Sequence, residues 1–479
     1  MSCPKPAWSA LGALLLSACS AVGPDYVAPS LSEAGVPAQW TSRTGNTTAA
    51  PPAAAWWSEL ADPALDQLVL EAFRTSPTLE AAMAKLQQAR AFSAQSDAAA
   101  LPTLGATAAS QRGAADPSGS VSRQSWLSMN ASWELDLFGA VTRGQQGAQA
   151  RAAAQQATLA DARVSLAADV SDAYLGHRAC QSHLALSEQD VASREATARL
   201  TAASVEVGFT APYQGIRSTA SVAEARTRVT ATRAQCERLE NLLTRLTGVA
   251  RPQLMTMLAA RPTGLGRLPE PRQFSIAIPS EALLQRPDIR VAERNVAAAA
   301  ADIGLAEADR YPRLALNGTL GYSASSSNAG SLSFGNWSFG PSLSLPILDG
   351  GRRAAAVEAA RSRYDEALAA FRAKARSAIQ EVEDALTRYA AAHERAENAR
   401  LSATEYQRFY DAVEQRYREG ASNLLELEDA RRSMLSAQQT LLDVQQERLL
   451  AWVALNRATG GGARPESPAG QSRPATPNP

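Results

Sequence analysis

Cys19 carries the clearest chemistry in the chain. Residues 1–19 read MSCPKPAWSALGALLLSAC: Lys5 gives a weakly positive start, Ala7 to Leu16 is mostly apolar, and small residues follow. That pattern is a secretory signal, and its apolar run is too short to span a bilayer. Its ending, Leu16-Ser17-Ala18-Cys19, matches a bacterial lipoprotein signal, in which the cysteine thiol takes a diacylglycerol and becomes the new N-terminus. Several acyl chains on one residue anchor firmly, because each buried CH2 contributes about 0.8 kcal/mol. An ordinary signal with an incidental cysteine is the plainer alternative.

Other reactive side chains are few. Apart from Cys3 and Cys19 the chain has only Cys180 and Cys236, too few for a disulfide framework, and no Cys-x-x-Cys. The histidines are His177, His183 and His393. His177, Cys180 and His183 step by threes, about 300° per step, so the ends of the set drift off one helix face and no metal site is expected. The chain has no Gly-rich phosphate loop, nucleophile elbow or Cys/His metal spacing, and its carboxylates sit in helical charge patterns that read as solvated faces. The expectation is therefore no enzyme, and no cofactor beyond a covalent lipid on Cys19. Lys+Arg and Asp+Glu both total 47, which leaves no basic field to meet nucleic-acid phosphates. No later stretch offers about 18 uninterrupted apolar residues, so a chain that crosses a membrane must do so as a β-barrel.

The scaffold behind these residues is a duplication. Pro77 and Pro102 bracket an alanine-rich helical run, and Pro287 and Pro312 bracket another, each 210 residues later (287−77, 312−102). Ala82, Ala91 and Leu104 match Ala292, Ala301 and Leu314. Further on, the offset becomes 212: Val170, Asp172 and Ala173 match Val382, Asp384 and Ala385, and Gly208 matches Gly420 (420−208). Leu243, Arg245, Thr247 and Gly248 match Leu455, Arg457, Thr459 and Gly460. A two-residue insertion near Gly350-Gly351 accounts for the change.

Each half opens with a helix, expected over 77–101 and 287–311, that proline ends. Alternating segments follow. In 127–137, Leu127, Met129, Ala131, Trp133, Leu135 and Leu137 face one way and Ser128, Asn130, Ser132, Glu134 and Asp136 the other. Trp337, Phe339, Leu343, Leu345 and Ile347 alternate with Ser338, Ser342 and Ser344, while Leu314, Leu316, Leu320 and Tyr322 alternate with Asn317, Thr319 and Ser323. Period-two alternation means strands with one oily and one wet face, and the flanking Trp and Tyr suit an outer-membrane strand. Polar loops are expected at 112–124 and 324–335. Very long helices come next. One runs from about 140 to 207, roughly 100 Å at 1.5 Å per residue. It breaks at Gly208-Phe209-Thr210-Ala211-Pro212 and returns to Leu246; the second half breaks at Gly420-Ala421-Ser422-Asn423 and returns to Leu455. Leu424, Leu427, Ala430, Met434, Ala437, Leu441 and Val444 have coiled-coil spacing. Cys180 and Cys236 lie 28 residues either side of Gly208 (208−180, 236−208), at one level of such a hairpin. In the oxidising periplasm they can pair, or remain two buried thiols.

Four strands per chain cannot close a barrel, and open edges cannot face lipid; three copies give 12 strands, an acceptable even number. At this point the sequence resembles a known family. The lipobox, Gly23-Pro24-Asp25-Tyr26, Trp56-Trp57 followed by Asp62-Pro63-Ala64-Leu65-Asp66, Trp133-Glu134-Leu135-Asp136-Leu137-Phe138-Gly139 and Arg286-Pro287-Asp288-Ile289-Arg290 are similar to the outer membrane factor (TolC-like) family, NodT/OprM-like branch. The likeness runs to about residue 460. It implies a mixed α/β membrane protein: a homotrimer with a 12-stranded transmembrane β-barrel continued by a periplasmic α-helical barrel, built from two repeats. It also implies a periplasmic adaptor (membrane fusion) protein and an inner-membrane pump, of RND type, as partners beside outer-membrane lipid. Ser20 after the cysteine, by resemblance to enterobacterial lipoproteins, favours the outer membrane.

The resemblance carries site residues with it. Gly208 and Gly420 mark tips that would dock the adaptor. Glu426 and Asp429 match acidic residues lining the periplasmic narrowing of TolC-like channels, with Glu in place of the usual first Asp; a three-residue step puts both on one helix face. Three chains would stack two acidic rings that favour cations. Tyr417 matches a tyrosine that helps hold the tunnel shut. The first-half equivalents, Gln214 and Arg217, do not repeat the acidic pair, and a solvated helix face is the bland alternative. The chain is thus divided into signal peptide 1–18, lipid-anchored extended segment 19–60, first repeat 61–250, linker 251–280, second repeat 281–460 and a Gly/Pro/Ser-rich tail 461–479 expected to be disordered. The functional expectation is a passive efflux duct for drugs or other small molecules. A duct for type I protein secretion, and a poreless coiled-coil lipoprotein scaffold, stand as alternatives.

Overall fold

The computed structural model describes residues 21–30, 36, 40, 55–114, 121–259, 268–271, 283, 286–327 and 330–461. Cys19, the signal sequence and the tail beyond 461 lie outside the described residues. A short 3-10 turn, Trp56–Leu60, precedes α1 (Pro63–Thr75) and α2 (Pro77–Ala98). Strands β1 (Thr103–Ala114) and β2 (Val121–Leu135) follow, then α3 (Ala140–Glu206), α4 (Pro212–Thr247) and α5 (Arg251–Ala259). The second half runs α6 (Pro287–Ala308), β3 (Arg313–Ser327), β4 (Gly330–Ser344), α7 (Arg352–Arg418) and α8 (Leu424–Ala458).

The duplication is visible in backbone geometry. α2 and α6 have 22 residues each, and α3 and α7 have 67 each. Left-handed glycines recur at the same offset of 212: Gly139 (φ 81°) with Gly351 (88°), Gly208 (80°) with Gly420 (75°), and Gly248 (67°) with Gly460 (76°). Only glycine enters that region without a Cβ penalty, so these positions define where each long helix starts, turns and stops.

The repeats do not form separate bodies. One compact unit comprises Met1–Ser30, Met83–Ala157 and Arg290–Lys374, and the other Leu31–Ala82, Thr158–Ile289 and Ala375–Pro479, so each unit draws on both halves of the sequence. The first unit contains the sheet, four antiparallel strands in the order β1-β2-β3-β4. Register puts Leu127 opposite Tyr322, Met129 opposite Leu320 and Trp133 opposite Leu316 on one face. Ser132 and Asn317 face the other way, where their side chains join at 2.9 Å and Asn317 donates to Ser342 at 2.7 Å. The strands extend past the expected loops at 112–124 and 324–335, leaving connections of only 115–120 and 328–329. Polar and small residues sustain the ladder there, Arg112 opposite Arg123 and Gly113 opposite Ser122, just beyond the side-chain pairs Ser110–Ser125 at 2.9 Å and Gln111–Gln124 at 3.4 Å. Backbone pairing does not require apolar side chains. α2 stops at Ala98, short of 101, because the amides of Ala99 and Ala100 turn back three residues before Pro102.

Residues 22–25 pack in this same unit. Val22 donates to the Phe138 carbonyl at 3.1 Å, and Arg143 bonds the carbonyls of Val22 and Gly23 and the carboxylate of Asp25 at 2.9–3.2 Å. A Cβ on Gly23 would meet the Gly304 backbone at 2.4 Å, and a Cβ on Gly304 would meet the Arg143 side chain at 2.9 Å, so glycine fits at both places.

The second unit has a helical core. Trp56 packs edge-on against Trp452, with centroids 5.3 Å apart. Asp62 caps α1 by accepting from Ala64 N at 3.1 Å and also accepts the Tyr174 hydroxyl at 2.6 Å. Arg286 bonds Asp288, Glu381 at 2.7 Å and the Ala458 carbonyl at 2.8 Å. In the first repeat Thr75 donates to the Thr247 carbonyl at 2.6 Å. The tryptophan, Asp-Pro and Arg-Pro-Asp motifs are therefore packing and capping devices. The segment expected as a linker begins as a helix, α5, because Leu254 and Leu258 bury one stripe of it.

Candidate constriction at the helix hairpins

Two turns close the hairpins of the second unit. At the first, Gly208 allows the amides of Phe209 and Thr210 to fold back on the Ser204 carbonyl at 2.9 and 3.2 Å, and Pro212 starts α4. Val207, Phe209, Tyr213 and Ile216 are largely exposed, Phe209 at 89%. At the second turn, Ala421 folds back on the Arg416 carbonyl at 2.8 Å and Asn423 caps α8 by accepting from Glu426 N at 3.0 Å. The turn itself is Gly420-Ala421-Ser422-Asn423, and beside it, among the described residues, Leu425 alone is a half-exposed large apolar side chain.

Glu426 is held by the Ser422 hydroxyl at 2.6 Å and sits 3.6 Å from Arg416. Asp429 faces Arg432 at 3.4 Å, with its side chain 56% exposed. Both lie on the exposed side of α8, away from the buried Leu427 and Ala430. Tyr417 is half-buried, packs against the core around Leu427 and Met434, and bonds Thr201 of α3 at 3.3 Å. Two turns earlier on α7, Tyr410 meets Ser193 of α3 at 2.9 Å, so a pair of tyrosines joins the first repeat's long helix to the second's.

Behind the exposed acids lies a buried charge cluster that sequence reasoning did not find. Arg194 bonds Asp190 at 2.8 Å and Glu428 at 3.2 Å; Arg431 bonds Glu428, bonds Thr197 at 2.8 Å, and lies over the Tyr410 ring. Ser221 of α4 also donates to Glu428 at 3.3 Å. Asp190 and Arg194 at i,i+4 and Glu428 and Arg431 at i,i+3 are legible as same-face pairs. Their meeting across 234 residues is not.

Cys180 and Cys236 are disulfide-bonded, with Cα atoms 5.6 Å apart, and join α3 to α4. His177 is buried 3.5 Å from Glu240 and His183 lies 3.2 Å from Asp443, so the three candidate ligands do not converge. Among the described residues no group of three or more His, Cys, Asp or Glu could hold a metal. Asp172, five residues before His177 on α3, has its carboxyl pushed up to about 7 by burial and by the nearby Asp169.

An open four-stranded sheet with an oily face, and two long helical hairpins on a duplicated sequence, define a subunit of an outer-membrane channel. The chain belongs to the outer membrane efflux protein family, whose model matches residues 68–249 and 278–461. It is 30% identical over 467 residues to nodulation protein T of Rhizobium leguminosarum bv. trifolii, covering 95% of this chain and 97% of that one. It is 31% identical over 484 residues to the antibiotic efflux pump outer membrane protein ArpC of Pseudomonas putida, covering 95% and 94%. Among solved structures it resembles the outer-membrane channel OprN with a TM-score of 0.79 at 29% identity, covering 93% of this chain and all of that one.

The protein is accordingly an outer-membrane efflux component. No described helix is long and apolar enough to cross a membrane. The sheet is the element suited to that task.

Proposed function

We propose that three copies of this chain close a 12-stranded barrel and together form a passive exit duct for small molecules, fed by an inner-membrane pump of RND type through a periplasmic adaptor. The observation that carries this reading is the sheet: among the described residues β1 and β4 each leave an edge unpaired, and one face exposes Leu320, Trp337, Phe339 and Leu343 at 62–79%. Unpaired edges and an oily face are untenable in a single chain in water or lipid, and copies of the same chain satisfy both. In this reading Cys19 carries the lipid anchor. Gly208 and Gly420 shape the adaptor-facing tips, and Tyr417, Glu426 and Asp429 form the periplasmic gate. The antibiotic-efflux relative favours small-molecule cargo over secreted protein.

The test is a deletion strain grown against dyes, detergents, antibiotics and metal salts, with secreted proteins assayed in parallel. Selective hypersensitivity, restored by the intact gene, supports the efflux duct and names its cargo class. Normal tolerance with a missing secreted protein overturns it in favour of secretion.

A further inference from the structure

Arg112 and Arg123 stand directly opposite each other across β1 and β2. Register parity puts them on the face of Ala108, Leu127 and Tyr322, the oily face. Both are exposed. Like charges directly opposed in a sheet are unfavourable, by up to about 1 kcal/mol. Among the described strand residues the one carboxylate is Glu134, which lies on the opposite face near the other end of β2. The strands themselves therefore hold no carboxylate level with the two guanidiniums; Asp116 belongs to the connection 115–120, outside the described residues.

Their surroundings are graded. The oily face carries Leu135, Trp133, Met129 and Leu127 along β2 from the end that adjoins α3. Next comes the hydroxyl pair Ser110 and Ser125, then the two arginines level with Ser326 and Ser331 on β3 and β4. From Leu135 to Arg123 is 12 residues (135−123), roughly 30 Å at about 3.3 Å per residue and a tilt of about 40°. That is about the thickness of a bilayer's hydrocarbon core. The pair sits at the hairpin end of the strands, level with the headgroups of the distal leaflet.

We infer that Arg112 and Arg123 form a binding site for the phosphate of a phosphorylated lipid headgroup in the outer leaflet. The inference rests on the barrel reading above. Each guanidinium offers a fork of donors that matches phosphate oxygens, while its methylene stem lies along the oily face. The ligand supplies the counter-charge that the strands lack, which turns an unfavourable pair into a site. A closed trimer would present three such sites, each beside a lipid-facing wall.

The full-length channel, purified from outer membranes in mild detergent, is analysed for bound lipid by native mass spectrometry. Probes are bis-phosphorylated lipid A and its dephosphorylated form. The double variant Arg112→Gln/Arg123→Gln should retain roughly tenfold less bis-phosphorylated lipid A than the parent, and Arg112→Lys/Arg123→Lys, which keeps the charge and loses the fork, should fall between the two. The parent should bind dephosphorylated lipid A as weakly as the glutamine variant binds the phosphorylated form. Millimolar inorganic phosphate should not displace the lipid. Equal retention by parent and glutamine variant, equal binding of dephosphorylated lipid A by the parent, or displacement by free phosphate would each overturn the site. The mass of the complex in the same native spectra keeps the two readings apart. A parent that appears only as single chains refutes the barrel, whereas a trimeric glutamine variant that keeps its lipid A refutes only the headgroup site.

Discussion

The two helical hairpins descend from one ancestral unit, yet they are built for different tasks. The α3/α4 hairpin is cross-linked by Cys180–Cys236, and its turn exposes Val207, Phe209, Tyr213 and Ile216. The α7/α8 hairpin has Ala392 and Arg448 at the equivalent positions (180+212, 236+212), so it carries no staple there. Its turn, Gly420-Ala421-Ser422-Asn423, leads into Glu426 and Asp429. A covalent bond fixes the register of the first hairpin. The second is held to it by bonds that can be exchanged: the tyrosines Tyr410 and Tyr417 and the charge cluster around Glu428. The comparison teaches that duplication supplied the scaffold, and divergence made one arm rigid and left the other reversibly fastened.

The largest expected effect breaks the fastening. Glu428→Ala leaves Arg194 and Arg431 buried without their shared carboxylate, which should cost about 3–5 kcal/mol, read as a lowered midpoint in chemical denaturation. A loss under about 1 kcal/mol would show that α8 is held elsewhere. Next in size is the staple. The disulfide closes a loop of 56 residues, so Cys180→Ser/Cys236→Ser should lose roughly 4 kcal/mol at most. Reductant should lower the melting temperature of the parent and leave that of the variant unchanged.

Asp172 sharpens the contrast between equivalent positions, since its counterpart Asp384 sits in a different setting and bonds Gln380 at 3.4 Å. Asp172 takes up its proton more readily folded than unfolded. Its destabilising effect is therefore absent at pH values below the ordinary carboxylate value and grows as pH rises to about 7. Between about pH 4 and 7 the parent should lose up to about 1.4 kcal/mol per pH unit from this group, and Asp172→Asn should abolish that slope. An unchanged slope in thermal melts across that range would remove Asp172 from the account. The smallest stability effect is Tyr417→Phe, which deletes one hydroxyl bond to Thr201 and should cost about 1 kcal/mol. Its clearer signature is a higher frequency of open events in single-channel recordings.

Much of this architecture was legible in the chain. The 210- and 212-residue offsets, the left-handed glycines and the alternating strands needed only local rules, because proline, glycine and side-chain parity act within a few residues. The strand ends were misjudged, since the polar and small residues Arg112, Gly113, Ser122, Arg123, Ser325 and Ser326 look like loop yet pair across the sheet. The level of Cys180 and Cys236 followed from counting, whereas their facing one another depended on helix rotation, which spacing alone leaves open. The Glu428 cluster was hidden for a further reason. Its members belong to different repeats, so neither periodicity nor the duplication links them.

The most direct test of the central claim is planar-bilayer recording of the purified channel beside its Glu426→Ala/Asp429→Ala variant. Higher conductance and weaker cation preference in the variant are expected, because two acidic rings on the unstapled hairpin would line the narrowing. Unchanged ion selectivity would contradict the placement of the gate on the second hairpin.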